Sequence, residues 1–149
     1  MHSKLYFAVP VYMEKNSDVA IPISYDYWIP LVRYFSAQSN TVEIHCWNVE
    51  KKTIKELVSN KGTYIKHVLD EITILQTELH PHMVNYLLSN YLDNMGRVKW
   101  FSLFFYKDET KCFNLGHWGT EFFVHRSNEE EVHKLRTIMP NDTIFHENI

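Results

Sequence analysis

Three strand-like segments separated by two short turns fill the last third of the chain, and this pattern constrains the fold most. The segments run over residues 97–106, 111–115 and 120–125, and they are rich in β-branched and aromatic residues. The turns at 107–110 and 116–119 are short enough to join only antiparallel neighbours. The sequence therefore predicts a C-terminal three-stranded meander and, with it, an antiparallel sheet.

Two further strands are predicted in the first third. Residues 41–47 alternate strictly, so that Val42, Ile44 and Cys46 point to one side and Thr41, Glu43, His45 and Trp47 to the other. Residues 5–12 form an apolar run with high strand propensity, in which Pro10 indicates an edge or a bulge. A polar loop is expected over 14–18.

Helical patterns lie between these strands. A short helix follows Asp26 and holds Pro30 in its first turn, where the missing N–H costs nothing. We expect a helix capped by Asn48 and running to about residue 59, a helix over 81–92, and a final helix capped by Asn128. Residues 63–78 are ambiguous, because their apolar spacing favours a helix while 72–75 could equally form a strand.

The order of these elements predicts one α+β domain over residues 1–149. We expect a mainly antiparallel sheet of about five strands with helices packed on one face. The chain has 149 residues, 45% of them apolar and 22% charged, which is typical of a globular protein and excludes intrinsic disorder.

The charge balance and the cysteines narrow the function classes. A net charge of −3 argues against a general nucleic-acid binder. No window approaches the ~20 apolar residues of a membrane helix, and no signal-peptide pattern is present, so we expect a soluble, cytoplasmic protein. Cys46 and Cys112 are expected to be free thiols, with Cys46 buried beside Val42 and Ile44.

No motif for a metal, a cofactor or a nucleophile is present. Nine histidines are scattered through the chain, but no HExxH or paired CxxC supplies three ligands. We therefore predict neither metal nor cofactor, and His80 and His82 would be the first positions to test if zinc appeared. GxSxG, GxGxxG and P-loop patterns are also missing. A pocket built from His45, His117, Glu43 and Glu121 remains the enzymatic alternative.

Aromatic residues make up 15% of the chain, and they suggest the binding residues. The meander holds more large rings than one face of a three-stranded sheet can hide. Because Trp and Tyr carry much of the binding energy at interfaces, we expect Trp100, Tyr106, Trp118 and Phe123 to form a binding surface. Trp118, in a turn, is the preferred anchor. The competing interpretation is that Trp118 folds back as a lid over the sheet edge.

These observations predict a non-catalytic protein-binding module. Small acidic α+β chains without a visible active site are often neutralising partners, such as immunity-type proteins, and a basic enzyme or toxin would suit the acidity. The alternatives are a small hydrolase-like enzyme or ligand-binding domain, and a homo-oligomer. A deep pocket in which two of the four His and Glu side chains converge would favour the enzyme, and a flat aromatic patch would favour the partner.

Overall fold

The computed structural model describes residues 3–13 and 20–148. Within these ranges the chain forms strands and helices in the order β1 (Ser3–Ala8), β2 (Val11–Met13), β3 (Ala20–Pro22), α1 (Trp28–Ser36), β4 (Thr41–Trp47), α2 (Lys51–Ser59), β5 (Tyr64–Val68), β6 (Ile72–Glu78), α3 (Pro81–Ser89), β7 (Ser102–Lys107), β8 (Thr110–Gly116), β9 (Glu121–Ser127), α4 (Glu129–Ile138) and β10 (Ile144–Asn148). The loop predicted over 14–18 lies outside the described residues.

Eight of these strands form one antiparallel sheet in the order β10-β1-β9-β8-β7-β4-β6-β5. The short strands β2 and β3 pair separately. The α+β class with an antiparallel sheet is thus confirmed, and β7, β8 and β9 are the predicted meander. The sheet is larger than the predicted about five strands, because β10 adds one edge and the β5–β6 hairpin adds the other.

The helix favoured for residues 63–78 is wrong, because this segment forms the β5–β6 hairpin. In β6, Thr73, Leu75 and Thr77 are buried and alternate with partly exposed neighbours, which is the period of a strand. The β-branched run Ile72-Thr73-Ile74 favours strand geometry, since such side chains are restricted in a helix. Apolar spacing alone could not separate the two structures.

The helix starts depend on individual side chains. Asn128 caps α4 as predicted, its Oδ1 accepting a 2.8 Å hydrogen bond from the N–H three residues later, and Pro30 lies in the first turn of α1. Asn48 does not cap α2, which begins at Lys51. The Asn48 side-chain amide instead donates to the carbonyl of Leu69, and Asn48 Oδ1 accepts from the Thr73 hydroxyl at 2.6 Å. Within the described ranges, no helix is long and apolar enough to cross a membrane.

The hydrophobic core joins side chains of the sheet to side chains of all four helices. The Phe35 ring of α1 stacks on Phe113 of β8 with centroids 3.9 Å apart. Trp28 of α1 donates its indole N–H to the carbonyl of Leu87 on α3 at 2.9 Å. Cys46 has no exposed surface, which confirms its predicted burial.

The predicted alternation of β4 is confirmed over the whole strand. Val42, Ile44 and Cys46 are buried, and we call the side of the sheet on which they lie the inner face. Thr41, Glu43, His45 and Trp47 are partly exposed, and we call their side the outer face. The outer face is where the chain presents sheet side chains to its surroundings.

Candidate binding surface

A continuous row of outer-face side chains crosses all eight strands of the large sheet. Glu43 on β4 lies opposite Gln76 on one neighbouring strand and Phe104 on the other. The strand register extends this row in both directions, giving the sequence Tyr64, Gln76, Glu43, Phe104, Asn114, Phe123, Tyr6 and His146. Each of these side chains is at least partly exposed. The row therefore combines aromatic rings with hydrogen-bonding groups.

Glu43 is the centre of an ion-pair network on this face. Its Oε1 lies 2.8 Å from His45 Nε2, and its Oε2 lies 3.4 Å from Lys66 Nζ. Burial would raise the pKa of Glu43, but the hydrogen bond from His45 and the charge of Lys66 outweigh burial and hold that pKa below its usual value. Glu43 is consequently a fixed carboxylate at neutral pH.

Phe104 and Tyr106 flank this network. The His45 ring meets Phe104 edge-on with centroids 4.5 Å apart, and Lys111 Nζ lies 4.9 Å from the centre of the same ring. Tyr106 lines a depression of about 320 Å³ together with Glu43 and Lys66. Burial and the charge of Glu43 raise the pKa of Tyr106, so its hydroxyl is a neutral hydrogen-bond donor.

A second cluster lies further along the row. The Phe123 and Tyr6 rings are 5.0 Å apart, and His125 Nε2 lies 2.7 Å from Asn114 Oδ1. Burial, together with the nearby charges of Lys111 and Lys4, lowers the pKa of His125. These contacts hold the polar groups in fixed orientations.

The two His–Glu pairs proposed for an enzyme pocket form, but they form apart. His117 Nδ1 lies 2.5 Å from Glu121 Oε1 on β9, whereas Glu43 and His45 lie on β4. With β7 and β8 between them, the pairs are separated by about 14 Å, which is three strand spacings. Of these four side chains, only Glu43 lines the depression beside Tyr106. The surface is therefore broad, and the four groups do not converge.

The predicted binding residues divide into two groups. Tyr106 and Phe123 lie on the outer face, but Trp100 has no exposed surface and packs between Trp28 and Tyr86 in the core. Trp100 was expected at the surface because residues 97–106 were read as one strand. The strand begins at Ser102, and Trp100 in the preceding segment points into the core.

Trp118 is packed back against the protein. Its ring lies 4.2 Å beneath the Arg97 guanidinium and 4.9 Å from the Phe101 ring, and its backbone N–H donates to the Phe101 carbonyl. The turn is held by Gly119, at φ +82°, where an added Cβ would lie 3.3 Å from Tyr25. This geometry matches the lid interpretation of Trp118 more closely than the anchor interpretation.

Tyr6, Asn114 and His125 were not singled out from the sequence, although they belong to the outer face. Tyr6 alternates with the buried Leu5 and Phe7, so the signal in its own strand was present. What the sequence did not contain was the strand order that places Tyr6 beside Phe123. Neighbouring positions on a sheet depend on the order, which local patterns do not encode.

His80 does not have a free ring nitrogen. Its Nδ1 accepts from the Met83 N–H at 3.2 Å, capping α3, and its Nε2 lies 3.3 Å from the Lys61 carbonyl. In the described part of the chain, no group of three His, Cys, Asp or Glu side chains could hold a metal ion. The expectation of an apo protein stays a prediction.

Comparison with known proteins identifies no relative of this chain. No protein-family model matches it, and neither a curated protein nor a solved structure does. The following proposal accordingly starts from the residues of the outer face.

Proposed function

We propose that the protein is a non-catalytic binding module that recognises another protein with its outer face. We infer that the four helices cover the inner face, since their buried side chains share one core with that face. The outer face is then the broad surface that the chain offers to a partner.

The observation that carries this proposal is the eight-strand row itself. In this row, Tyr6, Phe104 and Phe123 supply aromatic area and Glu43 supplies an oriented acceptor, while Tyr106 adds a ring beside the row on the same face. Aromatic rings and preorganised polar groups are what hot spots at protein interfaces are made of. Fixing these groups before binding lowers the entropy lost on association.

The partner we propose is an enzyme or toxin that the protein neutralises, in the manner of immunity-type proteins. A net charge of −3 supports a basic partner through electrostatic steering. The outer face also carries Lys66 and Lys111, so the partner surface should combine basic with acidic groups. We further propose that the protein acts inside the cell that makes it.

Site-specific photo-crosslinking tests the proposal. A benzophenone amino acid replaces Phe123 on the outer face. In the matched control, the same benzophenone amino acid replaces Ile29 on the surface of α1. We expect one protein to be cross-linked from position 123 and not from position 29. With that protein purified, Tyr106→Ala or Phe123→Ala should weaken binding by about 2 kcal/mol while costing only about 1 kcal/mol of unfolding free energy.

Two outcomes would overturn this proposal. Equal cross-linking from both positions would mean that the outer face has no preferred partner. Cross-linking of the chain to itself, with a dimer in sedimentation, would mean that the outer face serves self-association.

A hydrolase-like enzyme is the second candidate, and it rests on Ser102. This serine lies opposite His45 in the strand register, and His45 is oriented by Glu43, which is the residue set of a nucleophile, a base and an orienting acid. Among the described hydrogen bonds, none joins Ser102 Oγ to His45. Ester hydrolysis that disappears in Ser102→Ala and in His45→Gln would favour this candidate over the binding module.

A further inference from the structure

An apolar groove lies beside the edge strand β5, away from the outer face. It has a volume of about 500 Å³ and runs between α2 and the β5–β6 hairpin. Ile54 and Val58 of α2 and Val68 of β5 line it with apolar surface, and Lys51 and Lys55 of α2 line it with charge. The groove shares no lining residue with the depression beside Tyr106.

The hairpin exposes apolar side chains on the side of the sheet that is elsewhere buried. Ile65 lies opposite the buried Leu75, and Val68 lies opposite the buried Thr73, so both belong to the inner-face side. Yet Ile65 is 46% exposed, Val68 is 66% exposed and the adjoining Leu69 is 55% exposed. Exposed apolar side chains this close in sequence are typical of interaction sites.

The strand beside the groove is an edge strand. Strand β5 is the last in the order of the sheet, so among the described residues one side of its backbone has no strand partner. An extended segment of another chain can pair with such an edge through main-chain hydrogen bonds, while side-chain pockets give specificity. The bulge between Ile65 and His67 interrupts the edge, which restricts pairing to a short segment and discourages indiscriminate association.

The charge of the groove selects the occupant. Lys51 and Lys55 take part in none of the ion pairs found in the described residues. The groove lining contains no carboxylate, and the β5–β6 turn carries Asp70 and Glu71. A second copy of the chain would bring the same lysine-lined surface to the contact, and like charges facing each other weaken an interface.

We propose that this groove binds a short, extended segment of another protein that carries both apolar and acidic side chains on one face, at every second position. The apolar side chains of that face fill the space between Val58 and Val68, and its carboxylates pair with Lys51 and Lys55. The segment adds as a further strand next to β5. This peptide site goes beyond the proposed function, because it lies on a different surface.

Selection from a displayed library of random ten-residue peptides tests the proposal on the full chain. We expect the selected peptides to be enriched in apolar residues and Asp or Glu that lie two positions apart, on the same face of an extended segment. Anisotropy titrations of labelled selected peptides should show binding weakened at least tenfold by Val58→Asp, by Val68→Asp and by the double change Lys51→Glu/Lys55→Glu. Lys107→Glu changes an exposed lysine at the end of β7; it is the matched control and should bind as the parent does.

Each alternative gives a distinct result that would overturn the proposal. Three results would each exclude the site as described. They are selected peptides that are not acidic, no enrichment over an empty support, and affinity unchanged in Val68→Asp. A dimer that Val68→Asp abolishes would assign the groove to a second copy. Sedimentation of the protein with phosphatidylserine vesicles, lost in Lys51→Glu/Lys55→Glu, would assign the groove to a membrane surface. Variants with altered outer-face residues should keep peptide binding, so the two proposals fail independently.

Discussion

The two faces of the large sheet use aromatic residues in opposite ways, although they alternate along the same strands. On the inner face, Phe113 stacks on Phe35 with nearly parallel rings, and neither ring has more than 1% exposure. On the outer face, Phe123 and Tyr6 meet at 53° and remain partly exposed beside histidine, asparagine and glutamate. One face is mainly apolar, and the other interleaves rings with polar groups.

This difference predicts which rings stabilise the fold and which are available for the proposed binding. An inner-face ring is surrounded by apolar atoms, so removing it leaves a cavity that the fold cannot fill. An outer-face ring loses only part of its contacts, since water already covers the rest. Residues one position apart in sequence should therefore differ several-fold in what their removal costs.

Phe113→Ala should show the largest effect of the changes considered. We expect a loss of about 3–5 kcal/mol of unfolding free energy, because the ring is fully buried between Phe35 and Phe105. Phe123→Ala, on the outer face, is the matched control and should cost about 1 kcal/mol. Urea unfolding followed by fluorescence measures both. Equal losses would show that the outer face is as much core as the inner face.

Trp118→Ala tests a ring that packs against the protein but is not fully buried. Because its ring packs on Phe101 and Arg97 but keeps some exposure, we expect a loss of about 2–3 kcal/mol, below that of a fully buried ring. Thermal unfolding beside the parent protein provides the measurement. A melting temperature unchanged by the substitution would restore Trp118 as an anchor for a partner.

Cys46→Ser probes the polarity that the inner face tolerates. The thiol is fully buried, and burial together with the charge of Glu50 raises its pKa to about 12. A hydroxyl at this site without a partner should cost about 1–3 kcal/mol. Native Cys46 should also resist a thiol reagent at pH 8, while the partly exposed Cys112 reacts first. Rapid labelling of Cys46 would contradict its assignment to the core.

Local patterns predicted the elements that depend on local physics. The strand over residues 41–47 has the predicted bounds and faces, since strict alternation admits only one reading. The Asn128 cap was predictable because capping involves residues three positions apart. In contrast, β10 was missed and residues 63–78 were misassigned, because both are fixed by pairing with strands distant in sequence.

The candidate surface was predictable only in part, for the same reason. Glu43 and His45 were expected on one side of their strand, and they lie there. Their neighbours Phe104 and Lys66 come from strands whose order no local pattern reveals. Trp100 was misplaced because an aromatic run looks the same whether it continues a strand or turns into the core.

The smallest expected effect is the pH dependence of stability that arises from His125 on the outer face. Burial and the charges of Lys111 and Lys4 lower the pKa of His125 on the outer face, so folding releases a proton from this group. The unfolded chain binds that proton more tightly, and stability should therefore fall as the pH drops below the usual histidine value of about 6.5. Above that value the folded and unfolded chains are both neutral at this position, and no dependence arises from it.

His125→Gln keeps a donor for Asn114 but cannot titrate, so the variant should lose less stability than the parent between about pH 7 and pH 5. Unfolding free energies measured across this range provide the comparison. Parallel curves for the parent and the variant would mean that His125 titrates normally, and that the outer face is more open to water than its contacts indicate.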